Sequence, residues 1–134
     1  MSKFYVTTPI YYVNAKPHVG SAYTTIAADV LNRWHQQQGD DTYFITGLAE
    51  HGDKIAGSAV EAGLEPQEFA DQNAKHFHTA WEALNIKTDD LLRTSEPRHE
   101  AAVGKFFTKL KASGKIYEGE YEGLYCVGHE AFIK

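Results

Sequence analysis

The residues of this chain that can do chemistry gather in two short stretches and one pair. His18, Gly20 and Ser21 fall between a run of strand-forming residues and a helical pattern. A strand that feeds a helix through a tight turn aims backbone N–H groups and the positive end of the helix at one spot, and that spot suits phosphate. His18 sits at its mouth, where an imidazole can donate a hydrogen bond. The turn lacks a full Gly-x-Gly-x-x-Gly or Walker pattern, so a solvated loop histidine before an ordinary core helix is the competing reading. The second stretch is Glu50-His51-Gly52, followed by Lys54. Glu50 can favour a helix N-terminus electrostatically, and Lys54 can be an ordinary solvated residue. The pair is Cys126 and His129, a Cys-x-x-His spacing. Both types ligate zinc, but a structural zinc site takes four ligands and no other cysteine exists. A strand cysteine near an exposed histidine is therefore the preferred reading over metal.

The elements that must position these residues emerge from pattern. Phe4 to Thr8 is aromatic and β-branched, as a strand prefers, and Pro9 and Pro17 punctuate the stretch after it. From Gly20 the apolar positions Ala22, Ile26, Ala27, Val30, Leu31 and Trp34 keep a 3.6-residue period. They predict a helix that buries this stripe and ends near Gln38, with Gly39 as its stop. Thr42–Thr46 is a second strand. Strand, helix and strand make a right-handed βαβ unit with parallel strands. Both strand ends then face one edge, where an open α/β sheet holds ligands, so His18 and the segment 47–52 converge.

Further along, a second helix is expected over 51–62, with Ile55, Ala59 and Ala62 on one side and Gly63 as its end. Pro66 suits a first helical position. Phe69, Phe77, Ala80, Trp81 and Leu84 form an amphipathic stripe on a third helix, read as core. Residues 85–92 are a connector with room for a short extended piece. Thr94 or Ser95 caps a fourth helix with Pro97 in its first turn, Val103, Phe106, Phe107 and Leu110 as its buried face, and Gly114 as its stop. Residues 116–127 are rich in glycine and aromatic residues, and read as one or two strands with turns at Gly119 and Gly123.

The 134 residues suffice for one modest domain. A hydrophobic content of 43% and a charged content of 23% are those of an ordinary soluble protein. With 13 basic and 18 acidic residues the net charge is -5. Broad nucleic-acid surfaces usually carry a basic surplus, so any tRNA contact is expected to be local or to come from other parts. No apolar run is long enough to span a membrane. Met1-Ser2-Lys3 leads into a strand without the apolar stretch of a signal peptide. A single cysteine forms no internal disulfide. The cytoplasm is the expected compartment.

Three blocks carry a family resemblance. Phe4-Tyr-Val-Thr-Thr-Pro-Ile-Tyr-Tyr-Val-Asn14 with Pro17-His-Val-Gly20 and Ala22–Asp29, then Thr46-Gly47, Glu50-His-Gly52 and Lys54-Ile55, then Arg93–His99 with Tyr117–Phe132, resemble bacterial methionyl-tRNA synthetases of class I. The resemblance implies a Rossmann-type parallel α/β sheet with flanking helices, incomplete, with residues 1–114 as its N-terminal half. Residues 115–134 would be the start of a connective-peptide insertion. It implies ATP, with Mg2+, and methionine as substrates, methionyl-adenylate as product, and tRNA as partner of the full-length member. By residue, it implies catalytic roles for His18 and Ser21 and ATP contacts from Tyr12, Asn14, His18, Gly20 and Ser21. It places methionine beside Ile10, Tyr12 and Ala49, and Glu50, His51 and Gly52 at the site's border. Ile10 and Tyr12 can equally be core residues, and Gly20 can serve helix–strand packing. Zinc would fall on Cys126 and His129.

The departures are as specific. Ser21 stands where the family has the second signature histidine, Leu48-Ala49 where it has Thr-Asp, and His129 where it usually has a cysteine. The family's Lys-Met-Ser-Lys-Ser loop and anticodon helices are absent from these residues. Serine donates a hydrogen bond but is never cationic, and alanine cannot hold an ammonium group. Methionine activation is therefore expected to be weakened. A silent nucleotide-binding or structural fragment is the alternative, and the rest of a synthetase is the partner that would complete it.

Overall fold

A computed structural model describes residues 2–126 and 128–133. Met1, Val127 and Lys134 lie outside them, and so do the readings that touch those three. The order of elements is β1 (Lys3–Tyr12), α1 (Val19–Gln37), β2 (Asp41–Ala49), α2 (Asp53–Ala62), α3 (Pro66–Ala83), β3 (Asp90–Arg93), α4 (Pro97–Ala112), β4 (Tyr125–Cys126) and β5 (Ala131–Phe132). Two compact units divide the chain, one ending at Ser95 and one starting at Glu96.

The first unit is a three-stranded parallel sheet, ordered β1-β2-β3, with helices in the crossovers. This is the expected Rossmann-like α/β arrangement. Two right-handed crossovers that advance in one direction leave their helices on one side of the sheet. On that side Phe44 and Leu48 of β2 join Val13, Ala28, Ile55, Ala70, Ala74, Phe77, Trp81 and Ile86 in a single core. On the other face Tyr5 stacks on Tyr43 in the open, 62% and 45% exposed.

Both strands outrun the expected segments. β1 continues through Pro9 because it is an edge strand of this sheet and takes a bulge there: Thr7 pairs with Ile45 but Ile10 with Gly47. A residue without an N–H is tolerated at such a place. The bulge is held by a 2.6 Å hydrogen bond between the hydroxyls of Thr8 and Thr46. β2 runs on through Gly47, whose position admits no side chain. A Cβ there would lie 2.8 Å from the Leu92 carbonyl and 2.9 Å from Ile10 Cγ2.

α1 corrects the expected packing. Its buried residues are Ser21, Thr25, Ala28, Asp29 and Asn32, whereas Ile26, Val30, Leu31 and Trp34 are 41–58% exposed. The helix carries two stripes, and the polar one meets the sheet because it finds partners there. Tyr11 donates its hydroxyl to Thr25 Oγ1 (2.9 Å), which donates in turn to the Ser21 carbonyl (2.9 Å). Asp29 receives Arg33 Nε at 2.5 Å and the Lys87 N–H at 3.4 Å. A satisfied polar contact is weakly stabilising, so burying it carries no penalty.

α2 begins at Asp53, with Gly52 before it at φ 107, a region favouring glycine. Ala62 is exposed, and Gly63 in the left-handed conformation ends the helix. α3 buries Phe77 and Trp81 as expected, while Leu84 is 43% exposed.

In the second unit α4 has no buried residue. Val103, Phe106 and Phe107 are 51–65% exposed. The stripe has helical spacing, but the unit offers only coil and a two-residue hairpin to cover it. Glu96 precedes the helix without a side-chain cap, because the hydroxyls of Thr94 and Ser95 are engaged by Glu50. Residues 119 and 123 form no turn; the turn joining β4 to β5 spans 128–130, with Glu130 at φ 50.

Candidate functional site

β1 delivers the loop 13–18 and α1 leaves from it, as a strand–turn–helix must. A cavity of about 260 Å³ opens at this junction. Ile10, Tyr12, Asn14, His18 and Ser21 line it together, and Tyr11, Ala15, Lys16 and Phe77 complete the wall. Its floor is stiff: the Tyr11 ring stacks on Phe77 with centroids 6.0 Å apart and tilts against Trp81 at 5.9 Å.

His18 is the N-cap residue of α1. The Gly20 N–H donates to its Nδ1 at 3.0 Å, so the ring proton sits on Nε2 and that N–H is the donor the imidazole has left. The same contact explains Gly20. A Cβ there would lie 2.8 Å from His18 Cε1, so the space at Gly20 holds the imidazole itself, which answers neither ligand approach nor helix–strand packing. Ser21 is 4% exposed and still lines the cavity. Among the described residues its hydroxyl has no hydrogen-bond partner.

Gly20, Ala49, Glu50, His51 and Gly52 are not among the lining residues. Ala49 is one strand away: it pairs with Tyr12, and its carbonyl accepts the Val13 N–H at 3.4 Å. The topology therefore does bring the ends of β1 and β2 to one edge. Lys54 places its ammonium 5.5 Å from the centre of the Tyr12 ring, a cation–π contact that goes beyond a merely solvated lysine.

Glu50 is the largest correction in this region. Its side chain is fully buried and sits away from the start of α2. Arg93 Nε donates to Oε1 at 2.6 Å, and the Ser95 hydroxyl donates to Oε2. The Glu50 N–H donates to Thr94 Oγ1 at 2.9 Å. Arg93 also reaches Asp71 on α3 at 2.5 Å. That hydrogen bond, helped by Gln67, holds the Asp71 carboxyl below its ordinary value. Burial alone would lower the Arg93 pKa, but its bonds to Glu50 and Asp71 raise it. His51 Nε2 donates to the Thr94 carbonyl at 3.1 Å. These contacts fasten the ends of β2, β3 and α3 together. The sequence shows the charges but not that they meet, since Glu50, Asp71 and Arg93 are some twenty residues apart.

Lys16 and Phe77 are the lining residues that pattern reading misses. Lys16 hides in a loop marked only by its prolines, and Phe77 reads as core. In the second unit, Cys126 Sγ and His129 Nδ1 share a 3.2 Å hydrogen bond. Among the described residues no group of three or more His, Cys, Asp or Glu could hold a metal.

Comparison with known proteins gives one consistent answer. The family described as tRNA synthetases class I (M) matches residues 4–134. The methionine–tRNA ligase of Fusobacterium nucleatum is 54% identical over 97% of this chain and 20% of its own length. That of Thermotoga maritima is 48% identical over 97% of this chain and 21% of its length. A solved structure of Mycobacterium tuberculosis methionyl-tRNA synthetase, in complex with methionyl-adenylate, superposes with a TM-score of 0.95 at 41% identity, covering 99% of this chain and 26% of that one. The chain thus spans about a fifth to a quarter of the length of these relatives.

Proposed function

This chain belongs to the class I tRNA synthetases of the methionine type, and from that premise we propose that it carries part of a site at which ATP activates methionine to methionyl-adenylate for transfer to tRNA. The observation that carries the reading is the cavity. It brings Ile10, Tyr12, Asn14, His18 and Ser21 onto one wall, from positions that the family resemblance divides between methionine and ATP. In this reading the methionine carboxylate attacks the α-phosphorus, the bond to the β-phosphate oxygen breaks, and pyrophosphate leaves. The contribution of the residues is position and charge. His18 donates from Nε2 to phosphate oxygens as charge builds, Ser21 donates from its hydroxyl, and Ile10 and Tyr12 flank the methionine side chain. Ala49, Glu50, His51 and Gly52 border the site at the end of β2. The lining has no carboxylate to hold Mg2+, so no step is assigned to the metal.

The same reading takes residues 1–114 as the catalytic half-fold and 115–134 as the start of an insertion. The longer protein works in the cytoplasm, and its other parts supply most of the tRNA contact. Among the described residues no helix is long and apolar enough to cross a membrane. For zinc, Cys126 and His129 supply two of the four donors of a structural site.

Ser21 and Ala49 weaken activation. Loss of one donor to the transition state costs about 2.7–4 kcal/mol, and loss of an ammonium partner about 2–5 kcal/mol. The nine lining residues include no Asp or Glu to receive the methionine ammonium group. This favours, as a second reading, a site that holds adenine nucleotide without activating an amino acid. Methionine-dependent ATP–pyrophosphate exchange separates the two. We expect exchange near background for this chain and at least about tenfold faster exchange for Ser21→His with Ala49→Asp. Equal rates in the two proteins would overturn the roles given to these positions.

A further inference from the structure

We propose that Lys16 is a further ligand-binding residue of the β1–α1 cavity, where its ammonium takes the phosphate chain of a nucleoside triphosphate. The inference rests on the nucleotide reading above and deepens it. Lys16 lines the same cavity as His18 and Ser21. It is exposed and has no ion-pair partner among the described residues, so its charge is not neutralised locally.

The independent sign of a ligand is Ser21. A hydroxyl on a residue 4% exposed, without a partner and facing a cavity, leaves a buried donor unmet, which is rare in native proteins unless a water or ligand meets it. His18 adds its Nε2–H, and the first turn of the 19-residue α1 contains no acidic residue. The surroundings agree. In a chain with 18 acidic against 13 basic residues, none of the residues around this cavity is acidic. One ammonium, one hydroxyl, one imidazole N–H and a helix N-terminus make a set of donors and positive charge without a competing carboxylate. Adenosine has no use for that set; a chain of phosphates does.

Binding of adenosine, AMP, ATP and inorganic tripolyphosphate to the full chain, measured by titration calorimetry in EDTA at low and high salt, tests this. We expect ATP to bind at least about tenfold more tightly than AMP at low salt, and tripolyphosphate to bind on its own. Lys16→Met should lower affinity for ATP and tripolyphosphate about tenfold, flatten the salt dependence and leave adenosine binding unchanged. Lys16→Arg should keep most of the affinity. The inference is overturned if Lys16→Met matches the native chain for ATP and tripolyphosphate, or if the native chain does not bind tripolyphosphate. Lys16-dependent tripolyphosphate binding without any adenosine binding would uphold the inference and remove the nucleotide reading instead.

Discussion

Two polar regions of the first unit, the β1–α1 cavity and the Glu50 cluster, stand at strand ends of the same sheet and treat their side chains in opposite ways. Around Glu50 both carboxylate oxygens and the backbone N–H have partners, and Arg93 bridges to Asp71. At the cavity the Ser21 hydroxyl has none among the described residues, Lys16 has no counter-charge there, and His18 uses one nitrogen and leaves the other free to donate. Buried charge that is fully bonded does structural work, and removing one partner leaves an uncompensated group. Buried polarity left unmatched is where a ligand belongs. The contrast separates scaffold from site without help from residue type, since both regions are rich in groups that look catalytic.

The strongest way to break the contrast is to treat both regions alike by truncation. Glu50→Ala leaves Arg93 and Ser95 without their buried acceptor and should lower stability by about 3–5 kcal/mol, read from urea unfolding. A loss below about 1 kcal/mol would mean that the cluster is not structural. Gly47→Ala attacks the frame that both regions share. The added methyl meets the Leu92 carbonyl at 2.8 Å and Ile10 at 2.9 Å, and about 1–3 kcal/mol of stability should go.

Acid sharpens the same comparison. Asp71 has its folded pKa lowered from the ordinary 3.8, chiefly by the hydrogen bond from Arg93. Its contribution is therefore present above that value and is lost as pH falls through the lower folded pKa. Asp71→Asn should make stability less sensitive to pH below about 4 and leave its slope unchanged near neutrality. The effect is small, because the Asp71 side chain is 48% exposed. The smallest change is expected at the cavity. Ser21→Ala removes a hydroxyl that bonds to nothing among the described residues, so stability should move by less than about 1 kcal/mol, in either direction.

Much of this architecture is legible in the residues. The βαβ unit, the meeting of β1 and β2 at one edge and the α3 stripe come from period and turn chemistry. The blocks around His18 and Glu50 carry the family. The illegible parts depend on partners far away in the chain. The buried side of α1 escapes pattern reading because an apolar stripe outscores a polar one, and only Tyr11 and Lys87 show that the polar stripe is satisfied. Thr94 and Ser95 look like helix caps until Glu50 claims them. Pro9 looks like the end of a strand because sequence does not reveal that β1 is an edge with a bulge. Lys16 goes unmarked because a loop lysine has no periodicity.

The central claim, that the unsatisfied region is the ligand site and the satisfied one its support, is tested most directly by amide-resolved NMR of the native chain titrated with a non-hydrolysable methionyl-adenylate analogue. Saturable shifts are expected to concentrate at Tyr12, Asn14, Lys16, His18 and Ser21, with Asp71 and Arg93 nearly unmoved. Shifts centred on Asp71 and Arg93, or no saturable response at the cavity, would contradict it.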